Sequence, residues 1–178
     1  MDTITLDEYF MGVALLSAYR SADPKSKVGS CIVDPKNRII GIGFNNFPTR
    51  CTEGSLPWSD EGDYLDTKYP YVCHSELIAI FNSLINSVGD LSGCRIYLNF
   101  FPCGDCTKAI IQVGINEVIY LKYNKSPESD TFRAARKLFD SAGVAYRQLK
   151  PSIGELTIHY NIGQTTSETY PTPVATDA

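Results

Sequence analysis

Long apolar runs are missing from this chain of 178 residues, and so is any excess of positive charge. No stretch approaches the roughly 20 residues needed to cross a bilayer as a helix. The opening Met1-Asp2-Thr3 lacks the basic and apolar regions of a secretory leader. The expectation is therefore a soluble protein of the cytosol with no membrane partner. Lys and Arg total 16 against 20 Asp and Glu, for a net charge of −4, and no basic stripe runs along the sequence. A nucleic-acid partner is not expected from that balance. Paired cysteine motifs are also scarce: of six cysteines, only Cys103 and Cys106 are spaced C-x-x-C. A secreted disulfide framework or a closed zinc ribbon would bring more pairs. Cys31, Cys51, Cys73 and Cys94 stand singly and read as small buried hydrophobes.

What is present is concentrated in two short segments, His74-Ser75-Glu76 and Pro102-Cys103-Gly104-Asp105-Cys106. They offer one imidazole, two thiols and a carboxylate set beside them. A catalytic zinc keeps three protein ligands and leaves its fourth position to water, so His74, Cys103 and Cys106 suit an open zinc site with Glu76 outside the ligand set. Leu77, Ile80, Phe81, Leu84 and Ile85 recur at helical spacing after His74 and predict a helix whose first turn carries His74 and Glu76. Pro102 marks a second helix start, where Cys103 and Cys106, three apart, share one face. The amides and positive dipole end at such a terminus favour thiolates over thiols. The spacing H-x-E…P-C-x-x-C resembles the signature of zinc-dependent nucleobase deaminases.

At 43% hydrophobic residues the composition is that of one ordinary globular domain, expected over residues 1–162. A first helix spans residues 5–19, its expected buried face carrying Leu6, Tyr9, Phe10, Val13, Leu15 and Leu16. Residues 28–33 and 39–44 read as a hairpin around Asp34-Pro35-Lys36-Asn37. Residues 45–70 form a long polar stretch without periodicity, read as an insertion near the site. Strands are expected at 95–101, 117–121 and 144–149, and helices at 106–113 and 130–142, with a further edge strand at 156–160 carrying His159. The alternation predicts an α/β fold, a three-layer α-β-α sandwich around a mixed five-stranded sheet. Residues 163–178, rich in Thr, Ser and Pro, read as a loose tail.

A wider resemblance follows from Asp23-Pro24-Lys25-Ser26-Lys27-Val28-Gly29, Gly41-Ile42-Gly43-Phe44-Asn45, and Leu65-Asp66-Thr67-Lys68-Tyr69-Pro70-Tyr71-Val72-Cys73-His74. These segments resemble the deoxycytidylate (dCMP) deaminases, within the cytidine and deoxycytidylate deaminase family. The resemblance continues through Phe101-Pro102-Cys103 to Ala142-Gly143-Val144, covering residues 9–149. It implies a cytidine deaminase-like fold and hydrolysis of dCMP to dUMP with release of ammonia, feeding thymidylate synthesis. It also implies a homohexamer, a zinc ion held by His74, Cys103 and Cys106, and Glu76 as the proton shuttle. By the same likeness Asn45 meets the deoxyribose, while the backbone of Val28 and Gly29 and the N–H of Ser75 read the base. Ser26 and Lys27 lie in the phosphate-binding segment, with Tyr123 a weaker candidate for the same group.

Two departures bear on control by dCTP and dTTP. Regulated members read G-Y-N-G and H-A-E-L-N-A, where this chain has Gly43-Phe44-Asn45-Asn46 and His74-Ser75-Glu76-Leu77-Ile78-Ala79. Ile78 offers no side-chain hydrogen bond, and Asn46 adds a side chain where glycine allows close approach. Weak or absent control by these effectors is the expectation. The alternatives are a deaminase of 5-substituted dCMP or of free cytidine nucleoside, a nucleic-acid deaminase, or a non-catalytic zinc interaction protein.

Overall fold

Thr5 begins the first helix through a reciprocal cap: its side chain accepts from the Glu8 N–H, and the Glu8 carboxylate accepts from the Thr5 N–H. The computed structural model describes residues 3–52, 54–86 and 89–158. Within these, α1 (Leu6–Ala18) is followed by β1 (Gly29–Val33), β2 (Ile39–Phe44), α2 (Ser75–Ile85), β3 (Arg95–Phe100), α3 (Gly104–Gln112), β4 (Glu117–Lys122), α4 (Asp130–Ala142) and β5 (Ala145–Gln148). The strands form one sheet in the order β2-β1-β3-β4-β5. β1 pairs antiparallel with β2 and β3, while β3, β4 and β5 run parallel. The parallel half needs crossovers, which α3 and α4 supply.

The three expected layers are present. On one face α1 buries Phe10, Met11 and Ala14 against Cys31, Val33, Tyr97 and Ile119. On the other, Ala79 and Ile80 of α2, Ile110 of α3, and Phe132, Ala135 and Phe139 of α4 cover Ile32, Ile96, Leu98 and Val118. The five strands and the helix at 130–142 fall where periodicity puts them, within two residues. The edge strand expected at 156–160 is not formed at residues 156–158, and its remainder, with His159, lies outside the described residues, as does the tail from 163.

The helix faces differ from the expectation. In α1, Leu6, Tyr9 and Leu16 are about half exposed, and the buried stripe runs through Phe10, Met11, Ala14 and Ala18 instead. In α2, Phe81 and Ile85 are exposed while Ser75, Ala79 and Ser83 are buried. Both changes have one cause, which is close approach of helix to strand. A Cβ on Gly29 of β1 would lie 1.9 Å from the Ala14 carbonyl oxygen, and one on Gly43 of β2 would lie 2.1 Å from that of Ser75. Backbones this close admit only small side chains between them, so each helix turns its small-residue stripe inward and leaves larger residues outside.

Candidate active site

The site forms at the carboxyl end of β3 and the amino end of β1, where two helix N-termini converge. His74 is the N-cap of α2 and Cys103 that of α3, both in extended backbone conformation. Ahead of His74 the chain is pinned by a two-way bridge, Asn46 N–H to Cys73 carbonyl at 3.1 Å and Cys73 N–H to Asn46 carbonyl at 2.8 Å. Cys106, in the first turn of α3, is fully buried. His74 Nδ1 lies 3.5 Å from Cys103 Sγ and 3.4 Å from Cys106 Sγ. Zinc bonds of about 2.0–2.1 Å to nitrogen and about 2.3 Å to sulfur at a tetrahedral angle put N and S about 3.6 Å apart, so the three donors already hold zinc spacing. Nitrogen and sulfur donors of this kind fit zinc in chemistry as well as in distance.

The three donors are electrostatically coupled to one another. Hydrogen bonding from Cys106, and then from His74, pulls the Cys103 thiol down to about 4 despite its burial. Cys106 is shifted upward by its bond to Cys103 and by burial. The hydrogen bond with Cys103 raises the His74 imidazole to about 9. Glu76, 5% exposed in the first turn of α2, is pushed up by burial, against the opposing charge of His74. Its Oε2 accepts from Ser75 Oγ at 3.1 Å, and Ser75 Oγ lies 2.5 Å from Ser30 Oγ on β1. The chain thus places a buried carboxylate beside a zinc-spaced triad without making it part of that triad.

His74, Glu76 and Cys103 form one wall of a cavity of about 430 Å³. Ser26, Val28, Asn45 and Ser75, all expected at the site, line it too. The Asn45 amide is locked: Nδ2 donates to the Ser26 carbonyl at 2.9 Å and to Asp23 Oδ2 at 3.3 Å, and Oδ1 accepts the Val28 N–H at 2.8 Å. Both amide hydrogens are engaged, so toward a ligand Asn45 can act through its remaining Oδ1 lone pair as an acceptor. Three expected substrate-binding residues are not brought to the cavity. The Gly29 N–H is taken by Asn99 Oδ1 at 3.1 Å, and the residue's closeness to α1 accounts for its lack of a side chain. Lys27 is exposed and its ammonium turns back to the Ser21 carbonyl. Tyr123 stacks behind Phe101 with ring centroids 4.8 Å apart, and its hydroxyl accepts from Tyr120.

Other lining residues escaped the sequence reading. Phe100, Phe101 and Phe132 supply apolar wall, and Asn124 and Lys125 stand at the β4–α4 loop. Asp23 and Lys68 line the cavity as a buried ion pair at 2.6 Å. Both lie in segments that carry the family resemblance, but a lysine in a polar loop otherwise reads as solvated. Nothing in local spacing marks it as buried.

A zinc-spaced triad at paired helix termini, with a buried carboxylate alongside on this mixed sheet, defines a zinc-dependent hydrolytic deaminase. The model of the cytidine and deoxycytidylate deaminase zinc-binding region matches residues 4–122, and the chain belongs to that family. It is 50% identical over 161 residues to the deoxycytidylate deaminase of Pongo abelii, covering 90% of this chain and 88% of that one. Identity to the Homo sapiens deoxycytidylate deaminase is 49% with the same coverage, and to a probable deoxycytidylate deaminase of Drosophila melanogaster 45%, covering 87% and 77%. The crystal structure of a cyanophage S-TIM5 dCMP deaminase in complex with dCMP and dUMP shares the fold, with a TM-score of 0.65 at 24% identity. That match covers 84% of this chain and all of the other.

Proposed function

We propose that this protein hydrolyses dCMP to dUMP and ammonia, supplying the deoxyuridylate used in thymidylate synthesis. The observation that carries the reading is the buried Glu76 carboxylate beside the His74, Cys103 and Cys106 donors, at the wall of one nucleotide-sized cavity. Its similarity to named deoxycytidylate deaminases across most of its length supports the choice of substrate. His74, Cys103 and Cys106 would hold the zinc, whose Lewis acidity would make a water nucleophilic near neutral pH. Glu76 accepts that water's proton and delivers it to N3 of cytosine, making C4 electrophilic. The water oxygen bonds to C4, and as the C4–N4 bond breaks Glu76 carries the remaining proton of that oxygen to the departing amino group, so water and dCMP give dUMP and ammonia in balance. A carboxyl held high by burial is suited to both transfers.

Asn45 offers its Oδ1 to a sugar hydroxyl, and Val28 and the α2 start at Ser75 border the base. Ser26 borders the phosphate, while Lys27 and Tyr123 reach that group only through side-chain movement. Asn46 is held through its backbone in the bridge with Cys73, and Ile78 in α2 offers no polar side chain where regulated members carry asparagine, which supports weak or absent dCTP and dTTP control. Half-exposed Leu6, Tyr9 and Leu16 on α1 and exposed Phe81 and Ile85 on α2 support assembly into a homo-oligomer, by family likeness a hexamer. Cytosolic residence fits this role; no helix among the described residues is long and apolar enough to cross a membrane.

Ammonia release by zinc-loaded protein on dCMP, CMP, deoxycytidine and single-stranded DNA tests the reading, each with and without dCTP. Turnover of dCMP with hyperbolic kinetics indifferent to dCTP is expected. Preference for deoxycytidine would make it a nucleoside deaminase, reaction on DNA a nucleic-acid deaminase, and no turnover a zinc interaction protein. Sigmoidal kinetics that dCTP makes hyperbolic would overturn the regulatory part alone.

A further inference from the structure

Besides Glu76, two carboxylates line the cavity, Asp23 and Asp60, and each is already matched by a lysine. Asp60 takes Lys25 at 2.5 Å at the exposed rim, and Asp23 takes Lys68 at 2.6 Å in the interior. The inner pair is unusual for its burial, with side-chain exposure of 7% for Lys68 and 2% for Asp23. Burying two charges is costly unless geometry and further hydrogen bonds compensate. Asp23 has that compensation: Oδ1 accepts the Lys25 and Ser26 N–H groups at 2.9 and 3.0 Å, and Oδ2 accepts Lys68 Nζ and Asn45 Nδ2. Lys68 does not. An ammonium has three donors, and among the described residues Asp23 is its one side-chain or backbone acceptor. The side chain also lines the cavity, so two N–H groups of a buried, fixed cation remain for a ligand.

We infer that Lys68 is the cationic anchor for the substrate's phosphate monoester and that Asp23 is the positioning residue that holds it there. The inference rests on the nucleotide reading above. The other lysines are poorer anchors. Lys27 is exposed and turned to Ser21, Lys25 is committed to Asp60, and Lys125 stands exposed where salt and water screen its charge. A buried ammonium is little screened by salt, and the hydrogen bonds its free N–H groups make to a phosphate oxygen are charge-assisted. Lys68 also cancels the Asp23 carboxylate, which would otherwise repel phosphate from the same wall. Discrimination between nucleotide and nucleoside then resides in a residue whose partner lies 45 positions away.

The test is the ratio of kcat/KM on dCMP to that on deoxycytidine, measured on zinc-loaded protein of matched thermal stability. Lys68→Met is expected to lower this ratio by about 10- to 100-fold, as loss of a charged hydrogen bond implies, with the change in KM for dCMP. Because Lys68→Met strands a buried carboxylate, the double variant Asp23→Asn/Lys68→Met, which removes both charges, is measured alongside and should show the same collapse. Lys68→Arg should restore part of it. A ratio that stays at the wild-type value in both variants, a parallel loss on both substrates, or a collapse caused by Lys27→Met instead each overturns the assignment. A wild-type protein that does not favour dCMP over deoxycytidine fails earlier and sinks the nucleotide reading itself.

Discussion

His74, Glu76 and Cys103, with Cys106 buried behind them, come from the first turns of two helices, whereas Asp23, Asn45 and Lys68 reach the cavity from two loops, at positions far apart in the chain. The first wall is set by local geometry: a histidine at an N-cap, a carboxylate two residues on, and thiols three apart on one helical face. The second is set by mutual satisfaction, since each group there is held by the others and none by helical periodicity. Asp23 fixes Lys68 and Asn45, Asn45 fixes Val28, and Asn99 ties β3 to the Lys27 carbonyl at 3.0 Å. On the proposed reading the zinc wall decides which bond breaks, and the loop wall decides which molecule is presented. If the walls are separable in this way, a lesion in one should leave the other's measurable property standing.

The largest effect is expected on the zinc wall. Glu76→Gln keeps the shape of the side chain and loses the proton acceptor, so kcat should fall by about 10²- to 10⁴-fold. Zinc content and dCMP binding should be retained, as read by metal analysis and by calorimetric titration with dCMP. Loss of zinc together with turnover would show that Glu76 supports the metal cluster and would undo the division of labour between the ligands and the carboxylate.

The next largest belongs to the loop wall. Asp23→Ala strands the Lys68 ammonium in a buried site and should cost about 3–5 kcal/mol in denaturant unfolding, as removal of one partner of a buried pair does. Zinc content of the fraction that remains folded should be unchanged; metal loss there would break the comparison. The acid limb gives a second check. Burial raises the Asp23 carboxyl, but hydrogen bonds from Lys68, Ser26 and Lys25 outweigh it and hold the group below its ordinary 3.8. A depressed folded-state pKa means that the Asp23 contribution is complete above about pH 4 and fades as pH falls below it. The stability gap between wild type and Asp23→Ala should therefore narrow on acidification below that point.

The same contrast explains what was legible in the sequence. The H-x-E and C-x-x-C spacings name residues that the backbone itself brings together, so the triad and Glu76 could be placed before any fold was known. Strands bounded by turns, and α4 between Ser129 and Gly143, were legible for the same reason. The inward faces of α1 and α2 were not, because burial there is set by how close Gly29 and Gly43 let the helices come, a property of strand and helix jointly. Periodicity alone favours the larger apolar residues, and close approach overrides it. Lys68 was hidden in a similar way: its burial depends on Asp23, 45 residues earlier, and on the folding of residues 45–70 against the loop after α1.

Ser75 joins the two walls and gives the smallest effect. From the chain alone it contributes through its backbone, since alanine stands there in the related H-A-E motif. In the structure its hydroxyl donates to Glu76 Oε2, which uses its single proton, so the 2.5 Å contact with Ser30 is made by the Ser30 hydroxyl donating to Ser75. That two-step chain runs from β1 to the carboxylate and fixes Oε2, leaving Oε1 to exchange protons with water and base. Removing one neutral donor to a positioned carboxylate is worth about 0.5–1.5 kcal/mol, or about 2- to 10-fold in rate. Ser75→Ala should lower kcat on dCMP by that factor with KM within about twofold, and Ser30→Ala should do the same. Because the two hydroxyls act in series, the double variant should be no slower than Ser75→Ala alone. Additive losses would mean that the serines act separately, and an unchanged kcat would return Ser75 to a backbone role, leaving burial and the helix terminus to hold Glu76 without help from β1.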